Sequence, residues 1–206
     1  AIRGWFAETE DPELSGMPVA VLAPSLSYSQ AWEVFAGAWH PVRSESAPDR
    51  VVVLGPAHAS IGKGVSGTQL GIATALGVCP VDQDLLQLLQ EKLGIQYYQD
   101  ELDHFAEHGL ESQLPWIQEQ HGNIPVTAAI LPDRLLDQVP EDGVGSQEFI
   151  SAMGEALAQL GGQTLLVVST DLAHAGPQFG EPRAVDDNRR VDVEQRDREL
   201  LGRFLE

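Results

Sequence analysis

The sequence carries a single cysteine, Cys79, so no internal disulfide can form and a secreted fold held by disulfides is excluded. A reducing compartment follows as the expectation, and the cytoplasm is its plainest form. Beside Pro80 and after an apolar stretch, Cys79 itself reads as a small buried hydrophobe. Long apolar runs are missing too. The longest, at residues 51–54 and 164–168, have the length of strands, far short of the roughly 20 residues a membrane helix needs. Lysine is scarce, with only Lys63 and Lys92, and 12 basic residues face 31 acidic ones for a formal charge of −19. A surface this negative repels phosphate backbones and anionic lipids, so neither nucleic acid nor membrane is an expected partner. The N-terminus lacks the basic, apolar and small-residue succession of a signal peptide, and it begins at Ala1, which points to processing or to an incomplete sequence. No repeat, low-complexity tract or linker divides the 206 residues, which are enough to bury a sizeable core as one domain.

What is present is a succession of short apolar runs closed by Gly or Pro. Residues 19–25, 50–57, 124–131 and 164–170 read as strands. The second is continuous rather than alternating, which implies burial on both faces. Between them, residues 30–39, 81–93 and 146–160 have helical spacing. Asp82 and Asp84 favour the positive end of the second helix, and Gly161-Gly162 stops the third. A shorter helical pattern over 108–120 is interrupted at Pro115, and a charged tail helix runs over 189–206. Strands separated by helices require parallel crossovers, so the expected fold is α/β: a single domain with a mainly parallel central sheet flanked by helices. The abrupt tail suggests a missing C-terminal continuation.

In open sheets of this kind, ligands bind beyond the carboxyl ends of the strands. Those positions here carry Ser25 after the first strand, His58 after the second, and Asp171 and His174 after the fourth. The densest polar stretch, 103–113, holds Asp103, His104, Glu107, His108, Glu111 and Gln113. Imidazole near carboxylate is the combination that metal binding or proton transfer needs, so convergence of these segments on one pocket is the working expectation. A lone histidine more often caps a helix or satisfies a carbonyl; His40 and His121, with no carboxylate pattern around them, are assigned to surface structure. The run His104-Phe-Ala-Glu107-His108 also fits the inverted zinc-peptidase pattern H-x-x-E-H, although Gly109 weakens a continuous helix there.

Four segments, taken in order, resemble the signature of the MEMO family: residues 55–58, 74–82, 107–115 and 169–176. The resemblance implies a MEMO-like domain over 1–206 with the fold of class III extradiol dioxygenases, in which histidines and a carboxylate hold a non-haem iron at the sheet edge. It implies iron or copper as the metal and a redox role. Bacterial relatives are grouped with a radical-SAM protein and an AMMECR-type protein. Carried over by position, His58 matches a metal-ligand histidine and His174 a pocket residue, which in the metal-dependent reading holds the metal with His58. His108, Glu111 and Asp171 match pocket residues that move protons or orient a ligand, and Ser25 takes the cofactor-facing place at the end of the first strand. The family has a ligand histidine at that place, and a further ligand cysteine lies in a segment beyond this chain.

Three functions follow as expectations. The first is a metal-dependent oxidoreductase-like protein. The second is a binding or scaffold protein that keeps the pocket for a small molecule or a protein partner, which the serine at position 25 favours. The third is a zinc peptidase built on His104 and His108.

Overall fold

The apolar run that begins at Arg50 becomes the middle strand of a five-stranded sheet. A computed structural model describes residues 1–14, 16, 18–43, 46–58, 64–132 and 142–204. The chain divides into two compact units, Ala1–Thr170 and Asp171–Glu206. In the first, strands β1 (Ala20–Pro24), β2 (Arg50–Pro56), β3 (Ser66–Gly67), β6 (Val126–Leu131) and β7 (Thr164–Thr170) lie in the order β1-β7-β2-β6-β3. All pairings among β1, β7, β2 and β6 are parallel, and only the two-residue β3 runs antiparallel, at the edge beside β6. The protein is therefore an α/β fold with a mainly parallel central sheet.

Period-two alternation sends neighbouring residues of each strand into different cores. Val51 and Val53 of β2, with Ala128 and Ile130 of β6, join Val21, Ala23, Leu165 and Val167 on one face. There they meet α1 (Ile2–Glu8), α2 (Tyr28–Trp39) and α5 (Leu114–His121) through Phe6, Phe35, Trp39, Trp116 and Ile117. Val52 and Ala129 face the opposite way, against α3 (Gln83–Leu93) and α6 (Ser146–Leu160), whose Leu85, Leu89, Phe149 and Ala156 fill the second core. Burial of β2 and β6 on both faces explains why neither run shows a polar stripe. Helix α3 begins where the carboxylates suggested: Asp82 is its N-cap, accepting from the Leu85 backbone N–H at 3.1 Å, and its other oxygen receives Arg50 Nε at 2.9 Å. The pattern over 108–120 resolves into two helices, α4 (His108–Glu111) and α5, with Pro115 in the first turn of the latter.

Several elements had no counterpart in the sequence reading. Helix α1, strand β3 and the hairpin of β4 (Ile72–Thr74) and β5 (Gly77–Cys79) are too short for their periodicity to register. The Asp171–Glu206 unit contains one 3-10 turn, Pro177–Phe179, and the tail helix α7 (Asp187–Phe204), none of whose residues is buried. The last two residues of the expected tail helix lie outside the described residues, as does the continuation of the His58 loop at 59–63. Among the described residues, no helix is long and apolar enough to cross a membrane.

Candidate functional site

Parallel pairing aligns the carboxyl ends of the central strands along one edge. The ladder continues past β1, where the Ser25 N–H donates to Thr170 O at 3.0 Å, and past β2, where Ala57 donates to Leu131 O at 3.0 Å. Ser25 and His58 therefore leave the sheet on the same side. Helix α4 lies against the ends of β2 and β7. Its close approach depends on two glycines: a Cβ on Gly55 would stand 2.7 Å from Leu110 Cδ2, and one on Gly109 would fall well inside 3.0 Å of Ser25 Oγ. Gln113, fully buried, locks the arrangement. Its Nε2 donates to Pro24 O at 2.9 Å and Ser169 Oγ at 3.1 Å, and its Oε1 accepts from Trp39 Nε1 at 3.3 Å. The Tyr28 hydroxyl donates to Ser112 O just after α4, and burial lifts that phenol to about 12, which keeps it a donor across the physiological range.

This seating brings His58, Glu107 and His108 together. His58 Nδ1 lies 3.1 Å from Glu107 Oε2; the carboxylate side chain is 1% exposed and the imidazole 29%. A carboxylate accepts only, so this contact places a proton on Nδ1 and fixes the ring's tautomer and orientation. The His108 ring stacks on His58 with centroids 5.5 Å apart and planes at 26°. Beside them opens a cavity of about 280 Å³, lined by apolar residues of 70–73, by Phe105 and Leu110, and by His104, Glu107 and Glu111. Among the residues chosen from the sequence, His58, His108 and Glu111 thus belong to one neighbourhood. Glu107 is the partner that the sequence reading had not paired with His58. Its signal was present: it stands immediately before His108 and one helical turn before Glu111, at the entry to a short helix.

The remaining residues divide. Ser25 is 2% exposed and its Oγ has no hydrogen-bond partner among the described residues; the hydroxyl faces the Gly109 backbone. Asp171 and His174 fall in the second unit, with Asp171 Oδ2 3.8 Å from His174 Nε2, beyond hydrogen-bond range, and the His174 ring edge-on to Phe179 at 4.6 Å. The zinc-peptidase pattern loses its helix. His104 lies on a 3-10 turn, Glu101–Phe105, Glu107 is extended at φ −98°, ψ 116°, and His108 starts a separate helix. His104 Nε2 donates to Ser66 O at 3.0 Å, and burial lowers its pKa below the ordinary histidine value. His40 is not a surface residue: it is buried, donates from Nε2 to Phe6 O at 3.1 Å and meets the Phe6 ring edge-on. His121, in the last turn of α5, is half-buried and donates to Val42 O at 3.0 Å. Both satisfy backbone carbonyls of neighbouring elements, a tertiary role that local sequence does not display. Cys79 is buried as expected, and burial pushes its thiol up to about 11.

The model of the family described as Memo-like protein matches residues 2–206. The chain belongs to the Memo-like family. A MEMO1 family protein of Methanothermobacter thermautotrophicus is 31% identical over 159 residues, covering 77% of this chain and 54% of that protein. One from Thermotoga neapolitana is 31% identical over 192 residues, with coverages of 91% and 65%, and one from Thermococcus onnurineus is 29% identical over 169 residues, with coverages of 78% and 54%. The chain thus spans between about half and two thirds of the length of these relatives.

The MEMO resemblance implies a redox metal. Iron or copper needs several nitrogen, oxygen or sulfur donors aimed at one point. Among the described residues, no three His, Cys, Asp or Glu side chains converge in that way. His58 turns Nδ1 to Glu107, and Ser25 offers an unpartnered hydroxyl packed on Gly109.

Proposed function

We propose that this Memo-family chain is a small-molecule-binding protein whose strand-end cluster holds an acid-base pair, His58 held by Glu107, with His108 stacked beside it and a cavity opening on the Glu107 side. The observation that carries this reading is the 3.1 Å contact between His58 Nδ1 and a carboxylate that is almost wholly buried. Burying a carboxylate is costly unless a donor satisfies it, and an imidazole oriented in this way presents Nε2 as its proton-accepting nitrogen. In this reading the dioxygenase-type pocket is retained for binding and proton movement, and an iron- or copper-dependent oxidoreductase is the alternative it displaces.

Untagged protein purified without chelators provides the test. Iron, copper and zinc are expected at substoichiometric levels. The ring-nitrogen NMR shifts of His58 are expected to report the Nδ1–H tautomer in the wild type and a tautomer mixture in Glu107→Gln. Stoichiometric iron or copper that disappears in His58→Ala, or a His58 tautomer indifferent to Glu107→Gln, overturns the proposal.

A further inference from the structure

Four separate stretches of chain wall the cavity beside Glu107: the loop at 68–71, β4, the 3-10 turn Glu101–Phe105, and α4 with the residue before it. What they present is mostly hydrocarbon. Leu70, Ile72, Ala73 and Leu110 line it, and so does Phe105, whose side chain is otherwise largely in water. The polar side chains on the wall are already engaged. The Thr68 hydroxyl donates to Glu101 Oε1 at 2.9 Å, and His104 donates from Nε2 to Ser66 O while its Nδ1 is closed off from solvent. Glu107 is almost wholly buried and holds His58. Among the described lining residues, Glu111 is the one charged side chain left open to solvent, and there is no Lys or Arg.

A wall of this kind offers a ligand contact area and few hydrogen bonds. A strongly polar molecule would leave its hydrogen bonds with water and find Thr68, His104 and Glu107 occupied, so each polar group it buried would weigh against binding. A full charge gains little more. Glu111 could pair a cation only at a solvated position, where an ion pair is weak, and no described lining cation awaits an anion. Hydrocarbon behaves differently: each methylene moved from water onto Leu70, Ile72, Leu110 and Phe105 is favourable, and it also covers the exposed parts of Leu70 and Phe105. The volume of about 280 Å³ sets the upper size, on the order of ten non-hydrogen atoms.

We infer that this cavity binds a small uncharged molecule with a mainly hydrocarbon body, gripped by Leu70, Ile72, Ala73, Phe105 and Leu110, with any polar end left in the water beside Glu111. The inference rests on the proposed reading of the strand-end cluster as a small-molecule site and names the class of ligand it takes.

Straight-chain alcohols from butanol to undecanol, titrated into the full chain with backbone NMR shifts to locate binding, test it. The shifts are expected at residues 68–73 and 104–111. Affinity is expected to rise about fourfold per added methylene and to level off as the alcohol reaches on the order of ten non-hydrogen atoms. Octylamine and octanoate, matched to octanol in length, are expected to exceed it by no more than about fivefold, the most that one solvated ion pair supplies. Ala73 lines the cavity from an exposed position on β4, so Ala73→Phe fills the space without disturbing a core and is expected to remove octanol binding. Phe105→Ala, also at an exposed position, is expected to weaken it about two- to fivefold. Binding by none of the alcohols overturns the inference, as does affinity indifferent to chain length, octanol affinity unchanged in Ala73→Phe, or a larger preference for either ion. Length-dependent alcohol binding with a wild-type His58 tautomer other than Nδ1–H would sink the acid-base reading and leave the ligand class standing; the expected tautomer without such binding would do the reverse.

Discussion

Replacing Gly109 with alanine tests how α4 is held against the sheet. An alanine Cβ there would fall well inside 3.0 Å of Ser25 Oγ, with Ser169 Oγ at 3.2 Å and Ser25 Cβ at 3.4 Å. Ser25 is buried, so its hydroxyl escapes only by changing rotamer within closed packing. Overpacking of this kind costs about 1–3 kcal/mol. Alanine in a helix recovers about 1 kcal/mol relative to glycine, leaving a net loss of roughly 0–2 kcal/mol. Because these contributions oppose one another, the single variant says little and a double-mutant cycle is needed. Ser25→Ala removes the clashing atom together with a buried hydroxyl that has no partner, and on its own it is expected to be neutral or stabilising. With Ser25→Ala present, Gly109→Ala is expected to lose its penalty, giving a coupling of about 1–3 kcal/mol. Thermal unfolding reads this as a relief of about 2–4 °C per kcal/mol for a chain of this length. A coupling below about 0.5 kcal/mol, the level at which unconnected sites simply add, would refute the packing of Ser25 beneath α4.

Two further outcomes follow from buried groups. Burial lowers the His104 pKa from its ordinary value of 6.5, so the unfolded chain takes up that proton first as pH falls; stability should be full above about pH 6.5 and decline through the window just below it, and His104→Gln should flatten that limb of a midpoint-against-pH curve. A slope identical in both proteins would show that another group is responsible. Cys79, raised from 9.0 to about 11, presents about 100-fold less thiolate than an ordinary thiol and is shielded as well, so iodoacetamide should label it in urea and scarcely at all in the native protein; equal rates would contradict its burial.

How much of this was legible depends on the length of each element. The four parallel strands could be read because β2 and β6 are buried on both faces and so spell unbroken apolar runs. Asp82 announced the start of α3 because a cap is a local device. Strand β3 and the β4–β5 hairpin span two or three residues each, with Leu76 and Val78 exposed, so no period could mark them. At the candidate site, His58 and His108 were legible as polar interruptions at element ends. The Glu107 partnership was not, because it depends on how an extended residue turns its side chain across from one segment to another. His40 shows the same limit from the other side: its neighbours in sequence are unremarkable, and the carbonyl it satisfies belongs to Phe6 on a helix the sequence did not reveal.

Helix α4 occupies only the four residues His108–Glu111, yet it buries Leu110 over Gly55 and turns Glu111, with Glu107 just before it, toward the cavity. Mechanical support and the carboxylate lining of the cavity are therefore written into the same few residues. Exchanging the glutamates would change that lining while Gly55, Gly109 and Leu110 keep the helix in place. Drift at either glycine, by contrast, would displace both carboxylates at once.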